Sequence, residues 1–92
     1  MAIDRDLLQV ISTLKNPEEL ERFLKDLFTP AELDDITLRW KLLKDLHKGL
    51  PQRKIARKYK ISLCKITRGS RVLKKKDAMV PHLLKQMDDD TP

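Results

Sequence analysis

Ninety-two residues, 40% hydrophobic and 37% charged, make one small domain (1–92), too short for the second layer or cleft most enzymes build. Apolar residues recur throughout, which excludes a disordered chain. The single Cys64 excludes an internal disulfide framework and fits a reducing, cytoplasmic setting, and no apolar run approaches the roughly 18 residues of a membrane span. The net charge of +6 is unevenly placed: residues 1–46 sum to −3, residues 47–76 to +12, and residues 77–92 to −3.

The apolar spacing is helical almost everywhere and predicts an all-α fold of about six helices. Ile3, Leu7, Leu8, Ile11 and Leu14 form the stripe of a first helix. Asn16-Pro17-Glu18-Glu19 supplies an N-cap, a proline at the first helical position and a following glutamate, opening a second helix with Leu20, Phe23, Leu24 and Leu27 inward. Thr29-Pro30-Ala31-Glu32 repeats that signal as a full capping box. A third helix runs from Pro30 to about Lys48, with Leu33, Ile36, Trp40, Leu43 and Leu46 or His47 on one face, and Gly49 ends it in the left-handed region. Its second stripe, Leu42, Leu46 and Leu50, implies burial on two sides, in a core and at a subunit interface. Residues 1–49 thus read as a helical dimerisation core.

Pro51–Tyr59 predicts a short helix with Ile55, Ala56 and Tyr59 inward, followed by a turn at Lys60-Ile61. Lys60 sits where glycine often supplies a positive φ. Ser62 is placed to cap a helix from Leu63 to about Leu73, with Ile66 and Leu73 inward. Residues 77–92 then hold a last helix from Pro81, carrying Leu83, Leu84 and Met87, and a tail, Asp88–Pro92, that frays.

Two short helices joined by a tight turn over residues 51–74 make a helix-turn-helix pattern, and it falls inside the block of twelve Lys and Arg that contains no acid. Such a block points to a polyanion, double-stranded DNA first. A solvated basic face is the structural alternative, and an anionic membrane surface is disfavoured because no wide apolar face accompanies the charge. Leu63, Cys64, Lys65 and Thr67 stand where the second helix reads base edges, behind the cap Ser62. Gln52 and Arg53 stand at the N-terminus of the first helix, where phosphate is gripped, and Arg71 and Lys74 extend the basic face.

Leu27-Phe28-Thr29-Pro30-Ala31-Glu32-Leu33, Arg39, Gly49, Gln52-Arg53 and above all Ile66-Thr67-Arg68-Gly69-Ser70 with Leu73-Lys74 resemble the bacterial tryptophan operon repressor family over residues 18–76. The resemblance implies an intertwined all-helical homodimer that binds a DNA operator as a repressor. It also implies a small amino-acid ligand, L-tryptophan, as corepressor and no other cofactor. Arg39 and Arg68 correspond to the two arginines that hold the indole. Thr29 and the backbone of Asp26 and Phe28 match positions near the ligand's carboxylate and ammonium, and Gly69 lines the ring. On the residues alone, Arg39 pairing with Asp35 or Glu32 and Arg68 contacting phosphate is the favoured reading, and the resemblance sets the ligand site beside it. The chain departs from the pattern in a Gly49–Gln52 stretch one residue shorter, in Val72 where a serine helps hold the ligand's ammonium, and in Arg71 beside it.

Other chemistry is thin. His47 and His82 lack partners at ligand spacing, so no metal site is expected. Cys64 reads first as a small apolar contact, with a redox switch as the lesser alternative.

Overall fold

A computed structural model describes residues 2–89, and these form six helices with no strand among them: α1 (Arg5–Thr13), α2 (Pro17–Leu27), α3 (Pro30–His47), α4 (Gln52–Tyr59), α5 (Leu63–Lys74) and α6 (Met79–Asp89). The fold is all-α, as the periodicity predicts. The chain divides into two compact units between Asp35 and Ile36, inside α3.

The first unit holds α1, α2 and the start of α3, and each of these helices begins on a side-chain cap. Asp4 Oδ1 accepts from the amides of Asp6 (2.8 Å) and Leu7 (3.2 Å). Asn16 Oδ1 accepts from the Glu18 amide at 2.8 Å. Thr29 and Glu32 close the expected reciprocal box: the Thr29 amide donates to Glu32 Oε1 (2.9 Å) and the Glu32 amide to Thr29 Oγ1 (3.2 Å). The Thr29 amide holds the Glu32 carboxyl below its usual range. Ile3 is the correction here. It lies outside α1 and is 64% exposed, because Asp4 caps the helix and α1 starts at Arg5, two residues after it. Neither α1 nor α2 buries a single residue, although both are strongly amphipathic, and Leu8, Val10 and Leu27 are exposed.

The second unit has a true core. Ile55 and Ile66 are fully buried and Leu42 nearly so, with Leu43, Leu46, Leu50, Ala56, Tyr59 and Ile61 packed round them. Each fully buried isoleucine contributes roughly 1.5–3 kcal/mol. Of the two apolar stripes on α3, this core covers the Leu42 stripe and reaches Leu43 of the other, whose Ile36 is 48% exposed. Gly69 lets α5 approach α3 closely, since a Cβ there would lie 2.7 Å from Leu42 Cδ1.

Both turns flanking α4 use the left-handed region. Gly49 (φ 90°) closes α3, with the Leu50 amide donating to the Asp45 carbonyl and the Gly49 amide to the Leu46 carbonyl. Lys60 (φ 56°) closes α4, and the Ile61 amide donates to the Ala56 carbonyl at 3.1 Å. Three expectations near the helix ends need correction. Pro51 is the N-cap of α4, its extended ψ of 142° holding it out of the helix. The last helix starts at Met79, with Pro81 in its first turn, where a missing N–H costs nothing. Asp88 and Asp89 do not fray but are helical, and Asp88 Oδ2 lies 2.7 Å from His47 Nε2, tying α6 to the end of α3. The rest of the expected frayed tail, residues 90–92, lies outside the described residues.

Candidate nucleic-acid interface

The helix-turn-helix is α4, the three-residue turn Lys60–Ser62 and α5, packed on each other through Ile55 and Ile66. Ala56, Tyr59 and Ile61 line the same crossing, as their positions predict. Around this apolar centre the polar side chains face out. Arg53, Lys54, Arg57, Lys60, Cys64, Lys65, Arg68, Arg71, Lys74 and Lys75 are all exposed, and Leu63 is 47% exposed at the start of α5.

Gln52 and Thr67 are half-buried and meet. Thr67 Oγ1 donates to the Leu63 carbonyl at 2.9 Å and lies 3.4 Å from Gln52 Oε1, so the start of α4 touches the second turn of α5. Ser62 occupies the predicted N-cap position, with extended backbone, but its hydroxyl makes no capping bond, which corrects that expectation. Pro51 has no side-chain donor or acceptor to cap α4. The first three helices are capped by their own side chains, whereas the two of the helix-turn-helix are not. Their first-turn amides remain open to an outside acceptor, and a helix N-terminus favours an anion there.

The residues matched to a ligand site divide between the two units. Thr29, whose hydroxyl accepts in the capping box, and half-buried Phe28 belong to the first. Arg39, Arg68 and Gly69 belong to the second. Arg39 and Arg68 are exposed, and among the described residues neither makes an ion pair. Arg68 shares the outer stripe of α5 with Cys64, Arg71 and Lys75. Arg68, Arg71, Val72, Lys74 and Lys75 line an open groove in which Val72 is the one apolar side chain. Buried Gly69 faces Leu42, Leu43 and Leu46.

Sequence reasoning missed a polar cluster behind the basic face. Asp45, only 8% exposed, accepts from the Tyr59 hydroxyl (2.5 Å) and from Lys58 Nζ (3.1 Å), whose ammonium lies 5.1 Å from the Tyr59 ring centroid. Burial pushes the Asp45 carboxyl up. The bonds from Tyr59 and Lys58 and the charges of Lys58 and Lys48 outweigh it, so the carboxyl titrates below its usual range. Burial and then the Asp45 carboxylate raise the Tyr59 hydroxyl, and the bond to Asp45 raises the Lys58 ammonium. A carboxylate one turn before the end of an apolar helix was the only signal in the sequence.

No helix of the described residues is long and apolar enough to cross a membrane, and none of their His, Cys, Asp and Glu side chains cluster in a metal-binding group.

Residues 5–88 match the family model for the Trp repressor protein. The chain is 37% identical over 83 residues to a Trp operon repressor homolog of Chlamydia trachomatis serovar L2, covering 85% of this chain and 88% of that protein. It is 34% identical over 84 residues to the homolog of Chlamydia caviae (90% and 83% covered) and 36% identical over 76 residues to that of Vibrio parahaemolyticus (78% and 74% covered). No solved structure gives a significant match.

Proposed function

The chain belongs to the Trp repressor family, a family of transcriptional regulators and not of enzymes, and from that premise we propose that it is a sequence-specific DNA-binding repressor. In this reading it acts in the cytoplasm as an intertwined homodimer with L-tryptophan as corepressor. The observation that carries the DNA reading is the coincidence of three features on α4, α5 and the segments that join and flank them. These are twelve cations without an acid over residues 47–76, an apolar crossing that turns them outward, and two helix N-termini with no side-chain cap.

Residues 1–49 serve as the dimerisation core and 51–74 as the reading head, which α6 braces. Leu63, Cys64, Lys65 and Thr67 face base edges. Gln52, Arg53, Ser62, Arg71 and Lys74 meet phosphates, the first three with help from the open amides. The dimer has its support in α1 and α2, amphipathic helices that bury nothing within the chain. A second copy covers such faces and sets two reading helices about 34 Å apart, one turn of DNA.

For the corepressor, Arg39 and Arg68 sandwich a planar indole and pair with its carboxylate, as guanidinium groups do. A ligand held this way binds the DNA-competent arrangement of the head more tightly than others and shifts the population by that difference alone. One observation favours a second reading, the same repressor with a different effector or none: Val72 stands among four cations where an ammonium would need an acceptor.

Titrations of L-tryptophan with and without promoter DNA decide between them. Corepression requires DNA to tighten the ligand by the same factor by which the ligand tightens DNA, a coupling of roughly 1–3 kcal/mol, and Arg39→Ala should abolish it. DNA affinity unchanged at saturating L-tryptophan rejects tryptophan and leaves DNA binding standing.

A further inference from the structure

Asp45 is a buried carboxylate that the DNA contacts leave unused. Its partners are the Tyr59 hydroxyl and the Lys58 ammonium, and Leu42 of the apolar core lies one turn earlier on α3. Taking a carboxylate out of water is costly, and a well-packed hydrophobic residue would stabilise the fold at least as well. What an apolar residue does not supply is direction. The Leu42–Ile55–Ile66 contact chooses which face of α4 turns toward α3, but the hydrophobic attraction behind it is non-directional and adds no preferred angle of its own. Hydrogen bonds do.

The place of the bonds matters as much as their number. α4 enters through Gly49-Leu50-Pro51 and is tied at its far end, at Lys58 and Tyr59, about 10 Å along the helix axis from Gln52. A tie at the end of a lever restrains swing about the entry turn far better than one at the pivot. Tyr59 is also the last residue before the left-handed Lys60, where the chain turns into α5. Lys58, alone among the described cations of the basic block, is paired with a carboxylate, and its ammonium also sits over the Tyr59 ring. The bond draws its ammonium toward Asp45 while the side chain stays half-exposed.

We propose that Asp45 is a positioning residue for DNA reading: its carboxylate, bonded to the Tyr59 hydroxyl and the Lys58 ammonium, fixes the rotation of α4 and, through the Lys60–Ser62 turn, the angle at which α5 meets the groove. The inference rests on the DNA-binding reading above. Its local part, the Asp45–Tyr59 tie, has a readout that needs no DNA.

Tyr59 is the only tyrosine in the chain, so tyrosinate absorbance during alkaline titration reports on it alone. Asp45→Asn should move that midpoint down, because the neighbouring negative charge is gone. Tyr59→Phe removes one oxygen, keeps the ring and leaves the net charge unchanged at neutral pH. It should lower the ratio of promoter to random-DNA affinity about tenfold, the equivalent of about 1.4 kcal/mol, while random-DNA affinity and its salt slope stay as they are. A merely structural hydroxyl would lower the melting temperature and leave that ratio alone when binding is read well below melting. An unchanged ratio in Tyr59→Phe, or an unchanged Tyr59 midpoint in Asp45→Asn, overturns the proposal. Unmodified protein with no preference for promoter DNA overturns the DNA reading and this inference with it, and a lowered midpoint then still identifies the tie.

Discussion

Lys60 and Gly49 take the same left-handed conformation at the two ends of α4, but only one is a glycine. A side chain with a Cβ costs on the order of 1 kcal/mol there. Lys60→Gly should therefore stabilise the protein by about 1 kcal/mol in urea denaturation at a fixed protein concentration, and a destabilised variant would contradict the turn. Asp45 contributes to the acid sensitivity of stability. Its folded-state pKa is depressed, so its contribution is complete above the unfolded value, about 3.9, and is lost as pH falls through the lower folded value. Tyr59 is raised, so its contribution is complete below about 10 and is lost above it. Asp45→Asn should flatten the loss of stability below pH 4, which urea denaturation at pH 3 and pH 6 checks. Lys60 was legible because turn chemistry is local. Asp45 was not: an acid in a helical stripe has meaning only once Tyr59, fourteen residues on, is known to reach it.

Element by element, the helices followed from caps and apolar spacing, because those are short-range signals. The capping box at Thr29 and Glu32 and the cap at Asn16 form as the sequence predicts. The misjudged boundaries lie where a proline has two legitimate places, as N-cap at Pro51 and inside a first turn at Pro81. The absent Ser62 bond was not legible either, since a serine at an N-cap has the same sequence whether or not its hydroxyl turns inward. The reading head carries its own prediction. Replacing Arg53 with Ala should weaken binding to all sequences alike and reduce the salt slope by about one, the signature of a lost phosphate contact. Replacing Lys65 should cost about 1–3 kcal/mol at one base position and relax the preference there. Equal losses on promoter and random DNA for Lys65→Ala would move that residue from base to backbone.

At the scale of the whole molecule, the second unit has a core and the helices α1 and α2 have none of their own. An all-α class was plain from the sequence. Which α3 stripe the chain itself covers was not, because both stripes are equally apolar and only packing tells them apart. The half-exposed stripe with Ile36, and exposed Leu8, Val10 and Leu27, argue for a partner surface supplied by a second copy. Sedimentation equilibrium should show a dimer at micromolar concentration, and a stable monomer there would contradict the dimerisation core.

The central claim is that α4 and α5 form a reading head that recognises one DNA sequence. It is tested most directly by competition between the control region of the protein's own gene and scrambled DNA of equal length and composition. The measurement is made at physiological salt, with and without L-tryptophan. A sequence-reading dimer should prefer its operator by a factor on the order of 10³ or more. A ratio near one under both conditions, with binding still steeply salt-dependent, would leave a nonspecific basic protein and contradict the account.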